Sequence, residues 1–279
     1  MFRVQPLCAF LTAIAFSTLT LAYGDDSEPI SPKDTVVQLF NGKNLDGLYT
    51  WLQDAKYEDP RKVFTVEDGM IHISGDGFGY VCTQPRYKDY HLVVEYRWGE
   101  RTWQWRKTRA KDTGVIVHCA EPDGSCSNIF MAGIEAQIIE GGTGDLLVVS
   151  GKQADGSSIP VSLTAETVKD RDGETVWKKG GQRITLNPVT DAARINWFGR
   201  DPDWADVLGF RGKQDIDSPG QEWTRLDVIC DGGHIIYHVN GIQANEGFNA
   251  VPSSGKILIQ SEGAEVYIRR FELQPLSNR

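Results

Sequence analysis

The sequence predicts an all-β protein, a sandwich of two antiparallel sheets. From Gln38 onward, short apolar runs alternate with Gly, Asn, Asp and Pro, and no stretch has the 3.6-residue periodicity of an amphipathic helix. Asp68-Gly69 and Asp231-Gly232 are predicted hairpin turns, because Asp and Gly tolerate the positive φ that such turns need. Many strands with tight turns and no helices favour a sandwich over a doubly wound α/β fold.

Ten segments have the composition of β-strands. They are residues 63–66, 70–74, 80–83, 91–98, 114–119, 134–139, 224–230, 234–239, 256–261 and 266–273. A long stretch, residues 146–221, interrupts this regularity and has no linker composition. We interpret it as a loop and hairpin insertion that lies over one face of the sandwich, where long ordered loops usually serve a binding site.

The N-terminus has the pattern of a secretory signal peptide over residues 1–24. A basic residue precedes an apolar stretch, residues 7–21, which ends at small residues before an acidic pair. About 15 apolar residues are fewer than the roughly 20 that a spanning helix needs, so we expect no stable membrane insertion. The sequence therefore predicts an exported protein, periplasmic or extracellular, with an N-terminal segment at 25–36 and one domain at 37–276.

The charge of the chain disfavours nucleic acid as a partner. It has 29 Lys and Arg against 38 Asp and Glu, a formal net charge of -9, whereas nucleic-acid binding depends on cationic side chains that displace counterions from phosphate. Four cysteines follow the leader without paired C-x-x-C units. Cys119 and Cys126 flank a turn-rich stretch that a disulfide could close in an oxidising compartment, whereas Cys82 and Cys230 fit buried strand positions.

Alternation along the strands predicts a polar groove. In residues 133–140, Glu135 and Gln137 point away from the apolar side chains on either side of them. A carboxyl group in so apolar a strand must find partners or shift its pKa. By the same alternation the groove collects the polar side chains of Glu95, Arg97, His118, Glu135, Gln137 and Gln260.

Five sequence blocks in order resemble the 3-keto-disaccharide hydrolase family. They are residues 39–47, 112–117, 133–138, 222–226 with 239–241, and 255–260 with 266–269. Two departures are the triplet Asp112-Thr113-Gly114, where Asn-Ser-Gly is usual, and the length of the 146–221 insertion. The resemblance implies a concanavalin A-like jelly roll and cleavage of sugars already oxidised at C3.

The implied reaction needs a base, an enolate stabiliser and an acid. A C3 ketone acidifies the C2 proton, a base removes that proton, the C1 substituent leaves, and water then adds. From the resemblance we assign Glu135 as base or metal ligand, Gln137 and His118 to position the sugar or a metal, and Arg269 as the cation for the enolate. No cofactor is certain, and a divalent metal ion could replace that cation. The expected carbohydrate-binding residues are Glu95, Arg97, Gln260, Trp103 and Trp105.

Two alternatives remain open at this stage. Glu135 and Glu140 have the spacing of the carboxylate pair in laminarinase-like retaining glycosidases, provided that a bulge between Ile138 and Glu140 turns both to one face. A lectin-like module without catalysis is the other alternative, because jelly rolls serve both roles.

Overall fold

Eighteen β-strands form nearly all of the regular structure in residues 28–276, the part of the chain that the computed structural model describes. The predicted signal peptide, residues 1–24, lies outside the described residues and stays a prediction. The strands are β1 Val37–Gln38, β2 Leu48–Leu52, β3 Phe64–Glu67, β4 Met70–Ile73, β5 Phe78–Thr83, β6 Tyr90–Thr102, β7 Asp112–Ala120, β8 Ala132–Ile139, β9 Leu146–Val149, β10 Ser162–Lys169, β11 Thr175–Trp177, β12 Gln182–Leu186, β13 Ala192–Ile195, β14 Thr224–Asp231, β15 His234–Val239, β16 Ile242–Val251, β17 Lys256–Glu262 and β18 Ala264–Gln274.

The strands form two antiparallel sheets, which confirms the predicted all-β jelly-roll class. The larger sheet has the order β11-β10-β16-β15-β14-β6-β18-β4-β3, with β1 paired to β18 and β12 paired to β10. The smaller sheet has the order β13-β9-β8-β7-β17-β5-β2. None of the helices among residues 28–276 is long and apolar enough to cross a membrane.

All ten predicted strands are present, with the largest difference at β6, which continues to Thr102. Prediction missed β16, Ile242–Val251, because Gly, Asn and Glu interrupt its apolar residues. It also missed short edge strands such as β11 and β13, whose few residues carry too little alternation to detect.

The sandwich core consists of alternate side chains from the facing strands. The smaller sheet contributes Val115 and Val117 from β7 and Ile134 and Ile138 from β8, while β6 of the larger sheet contributes Tyr96 among others. Because side chains alternate along a strand, the intervening residues lie on the two outer faces of the sandwich. Below, "the small-sheet face" means the outer face of the smaller sheet, which carries Glu135.

The prediction that residues 146–221 cover one face is wrong in its main part. β9 and β13 extend the smaller sheet, and β10, β11 and β12 extend the larger one. Their backbone groups pair with the free edges of β8 and β16, which satisfies donors and acceptors that a covering loop would leave open. The last part does pack against strand ends, since Trp204 Nε1 donates to the Glu140 carbonyl at 2.9 Å.

The four cysteines in residues 28–276 are free thiols. Cys82 and Cys230 are fully buried, as predicted. A disulfide between Cys119 and Cys126 is not formed; the Cys119 thiol donates instead to the Ile116 carbonyl at 3.2 Å.

Shortening a core side chain should destabilise the sandwich. Ile268 in β18 is fully buried between the sheets, so we expect Ile268→Ala to lower the free energy of unfolding by about 2 to 5 kcal/mol, because a cavity remains. Ile242→Ala is the matched control, since Ile242 is 46% exposed, and should cost less than about 1 kcal/mol. Equal losses in urea unfolding of the two variants would contradict this account of the core.

Candidate active site

Three of the predicted site residues meet on the small-sheet face. Glu135 and Gln137 stand two residues apart on β8, and Gln260 stands on β17 on the other side of β7. Register places Gly114 of β7 directly opposite Gln137. Glu135 and Gln137 are only 4% and 3% exposed, so the predicted groove is a largely buried polar cluster.

The missing side chain of Gly114 makes room for this cluster. A β-carbon at Gly114 would collide with Oε1 of Glu135 and with Oε1 of Gln260. The carboxyl of Glu135 and the amide of Gln260 therefore converge above the Gly114 backbone. Any residue other than glycine would push both groups apart.

Asp112, Arg106 and Glu262 extend the cluster along the small-sheet face. Gln137 Nε2 donates to Asp112 Oδ1 at 3.0 Å. The Arg106 guanidinium pairs with Asp112 and lies 3.4 Å from Glu262 Oε1. Arg106 comes from the loop between β6 and β7 and is itself buried, so a loop residue supplies positive charge to the sheet.

Burial dominates the electrostatics of the three carboxyl groups. Loss of hydration, with the nearby charge of Asp112, raises the pKa of Glu135 to about 8. Burial likewise raises the pKa of Asp112 and of Glu262, and the Arg106 guanidinium opposes both shifts. Arg194, on β13, is the cation that opposes the shift of Glu135. Since Arg106 contacts Asp112 directly, we assign the proton held at neutral pH to Glu135.

Aromatic side chains border the cluster on the side of β5 and β2. The hydroxyl groups of Tyr49, Tyr57 and Tyr80 all donate to the carboxylate of Asp123, at 2.6, 2.9 and 2.5 Å. Burial raises the pKa of Tyr80 far above its usual range, so its hydroxyl stays protonated and donates. This shared carboxylate fastens the loop between β7 and β8 to the sheet.

The two predicted sugar-stacking tryptophans have different surroundings. Trp105 is 42% exposed and lies parallel to Phe78, with 6.0 Å between ring centroids. Its ring also covers the Arg106 guanidinium at 4.3 Å, which places it at the rim of the cluster. Trp103 donates its Nε1 to the Ser74 carbonyl at 2.8 Å and anchors the loop.

Glu95, Arg97 and Arg269 do not reach the cluster, so the prediction of one shared groove is wrong. They lie on β6 and β18, on the outer face of the larger sheet. Arg269 Nε donates to Glu95 Oε2 at 2.6 Å, and Arg97 lies between the rings of Trp223 and Tyr267. Alternation identified these residues as outward-facing, but it does not tell which of two sheets a strand joins.

His118 is also separate from the cluster. A bulge in β7 between Val117 and Ala120 interrupts the alternation, and His118 adopts a positive φ of 54°. Its Nδ1 lies 3.1 Å from the Pro252 carbonyl, and its ring meets the core residue Tyr90 edge-on. Burial lowers the pKa of His118 to about 4, so the ring is neutral and has no role beside Glu135.

A family comparison places the chain among carbohydrate-active proteins. The model of the 3-keto-alpha-glucoside-1,2-lyase-like domain matches residues 35–274. This chain belongs to that family. As a member it is a carbohydrate-active protein of the all-β jelly-roll class.

Solved structures resemble this family member at low sequence identity. Two putative glycosyl hydrolases from Parabacteroides distasonis are 15% identical to it; the alignments cover 86% and 87% of this chain and 93% and 100% of theirs, with TM-scores of 0.48 and 0.46. The carbohydrate-binding module CBM66 from Bacillus subtilis is 10% identical over 81% of this chain and 93% of that one, with a TM-score of 0.41. No curated protein matches the sequence.

Glu140 does not pair with Glu135 in this family member. The register of β8 with β7 is continuous from Ile134 to Ile139, without the bulge that a shared face requires. The Glu140 carboxylate accepts backbone N–H groups of Lys111 at 2.9 Å and of Gly209 at 2.8 Å. It is a structural acceptor at the end of the strand.

Sequence reasoning missed Asp112, Arg106, Glu262 and Arg194 as members of the site. Asp112 precedes Gly114 by two residues and so shares its face, which the alternation could have shown. Glu262 follows Gln260 by the same interval. Arg106 lies in a loop that is basic throughout, and no local pattern marks which of its cations turns inward.

Ionisation of Glu135 should make stability fall as pH rises. Its folded-state pKa of about 8 exceeds the usual 4.5, so between these values the folded state holds a proton that the unfolded state has lost. Stability from this group is therefore present below about pH 4.5 and is lost as pH rises through 8. We expect Glu135→Gln to unfold like the wild type at pH 5 and to become relatively more stable towards pH 9.

Urea unfolding at a series of pH values measures this difference. Glu222→Gln is the control, because Glu222 is exposed and its loss should leave the pH dependence unchanged. Parallel stability curves for wild type and Glu135→Gln would contradict the raised pKa.

Proposed function

We propose that this protein cleaves 3-keto-glycosides by removal of the C2 proton, elimination at C1 and addition of water. Family membership supports the substrate class. The observation that carries the proposal is Glu135, a buried carboxyl with a pKa of about 8 beside the amides of Gln137 and Gln260. A base is most effective when its pKa lies near the working pH, and burial gives Glu135 that property.

The proposed reaction proceeds in three steps: proton removal, elimination and hydration. Glu135, once ionised, accepts the proton from C2, and the electron pair of the C–H bond moves towards the C3 ketone as an enolate. The C1–O bond then breaks, and the departing alkoxide takes a proton from the solvent. Water adds at C1 while a proton returns to C2, which regenerates the 3-keto sugar and the starting enzyme.

Arg194 replaces Arg269 as the cation that we assign to the enolate. Arg269 is paired with Glu95 on the other sheet, whereas Arg194 and Glu135 lie on either side of β9 in the same sheet, both as register partners of Leu147. Arg194 also lies 3.3 Å from Asp145 Oδ2, which holds its side chain in place. A guanidinium in a partly buried site stabilises developing negative charge more strongly than it would in water.

A divalent ion is the alternative stabiliser. The oxygens of Glu135, Gln137 and Gln260 are the ligands that a hard cation such as Mg²⁺ prefers, whereas His118 is too far into the core to contribute. An ion held there would polarise the ketone as a Lewis acid. Among residues 28–276, three acidic groups come close enough to share an ion only at Asp170, Asp172 and Glu174, on an exposed turn.

Release of 3-keto-glucose is the direct test. We expect the purified protein to release it from a 3-keto-glucoside and not from the unoxidised glucoside, and we expect Glu135→Gln to lower kcat/KM by at least about 100-fold. Because Glu135 must be ionised to accept a proton, kcat/KM should rise with pH and level off above about 8.

Other outcomes would select among the alternatives. Hydrolysis of the unoxidised glycan would indicate an ordinary glycosidase, and binding without turnover of either sugar would indicate a lectin-like module. Repeating the assay in excess chelator decides between Arg194 and a metal ion, since full activity in chelator would remove the ion from the mechanism.

Gly114→Ala should impair this activity more than it impairs folding. The atoms nearest to the added methyl are the ends of the Glu135 and Gln260 side chains, which can move aside at less cost to the fold than backbone atoms could. We expect kcat/KM to fall at least about 10-fold, because the reacting groups lose their alignment, while the urea midpoint stays close to that of the wild type. Gly156→Ala is the control for activity, because nothing contacts the new methyl at that turn. Its positive φ of 84° should lower stability slightly, but loss of activity in that variant would contradict the argument.

A further inference from the structure

The hydrogen-bond partner of the Gln137 amide determines which way its nitrogen and oxygen point. Its Nε2 lies 3.0 Å from Asp112 Oδ1, and the other oxygen of that carboxylate pairs with Arg106. A carboxylate in contact with a guanidinium is an acceptor, so the group of Gln137 that faces it must be the N–H donor. The amide oxygen of Gln137 therefore points away from Asp112.

That oxygen is a buried acceptor without a partner. Oε1 of Gln137 has no hydrogen-bond donor among the described residues, although the side chain is almost fully buried. Native proteins leave few such groups unpaired, and an unpaired buried acceptor weakens the structure until a donor arrives. A water molecule or a ligand hydroxyl group would satisfy it.

Arg106 holds the Asp112 carboxylate, and through it the Gln137 amide, in one orientation. It is buried, with its Nη1 donating to the Ala110 carbonyl at 3.2 Å and the Trp105 ring over its guanidinium. Its position is therefore fixed by the loop, and it fixes Asp112 in turn. The chain of contacts runs from Arg106 through Asp112 to Gln137 and ends at the free oxygen of Gln137, whose side chain shares one face of β8 with Glu135.

We infer that Arg106 and Asp112 are positioning residues that hold Gln137 Oε1 as an acceptor for one hydroxyl group of the sugar whose C2 proton Glu135 removes. This inference rests on the proposed function and adds a substrate requirement to it. A site built around a buried acceptor rejects an analogue that lacks the matching donor, because the acceptor is then left unpaired. The preferred substrate is a 3-keto-glycoside with that hydroxyl group unmodified.

Asp112→Asn should relax this requirement. An asparagine at position 112 can donate as well as accept, so the Gln137 amide can turn over and present its N–H groups to the sugar. Gln137→Met removes the acceptor while keeping a side chain of similar length. Arg106→Lys keeps the charge but loses the planar fork that fixes the carboxylate.

The experiment compares kcat/KM for a 3-keto-glucoside with that for its analogues lacking the hydroxyl group at C2, C4 or C6. We expect the wild type to disfavour one analogue by about 100-fold, and we expect the same analogue to be disfavoured about 10-fold or less in Asp112→Asn and in Gln137→Met. Arg106→Lys should give an intermediate ratio. A loss of rate shared equally by all substrates would show a purely structural role and would overturn the inference.

Asp227→Asn is the matched control. Asp227 is also paired with an arginine, Arg225 Nη2 at 2.7 Å, but it lies on β14 of the larger sheet, so its loss should leave the ratio at the wild-type value. If the wild type releases nothing from any 3-keto substrate, the proposed function fails. In that case calorimetry measures the binding of the methyl glucoside and of its deoxy analogues to the same variants. If each ligand binds the wild type and Asp112→Asn with equal affinity, the inference is overturned independently.

Discussion

Packing of two sheets through their apolar faces determines where each polar side chain of this protein can act. Glu135 and Glu95 both alternate with core residues, yet the sandwich core separates them because they belong to different sheets. Only the residues of one outer face can cooperate. The cluster at Gly114 is therefore assembled from β7, β8 and β17, and the polar pairs of β6 and β18 serve the opposite surface.

Within the cluster, low hydration and a fixed loop cation have opposite effects. Burial favours protonated carboxyl groups, whereas the Arg106 guanidinium favours ionised ones. Their balance differs from residue to residue, because Arg106 contacts Asp112 but not Glu135. Neighbouring carboxyl groups on one sheet face can therefore hold different charges at the same pH, which is the condition for one of them to move protons while another orients an amide.

The fold and three of the seven members of the site were predicted from the sequence, since both depend on period-two alternation. Glu135, Gln137 and Gln260 share a face because each interrupts an apolar strand. The prediction that His118 faces the groove was wrong, because a bulge adds a residue to β7 and turns the side chain into the core. The prediction for Arg269 was wrong because its strand, β18, belongs to the larger sheet. Local alternation does not show this, since strand order is a property of the whole sandwich. Arg106 was not predictable, since its direction depends on a loop and on Trp105 above it.

The tyrosine contacts of Asp123 have a consequence for tolerance to sequence change. Three hydroxyl groups from two strands and a loop share one carboxylate, so removal of any one of them leaves two. This one anchor of the loop between β7 and β8 thus has three interchangeable donors and a single acceptor, Asp123. This anchor therefore tolerates the loss of one tyrosine hydroxyl better than the loss of the Asp123 carboxylate.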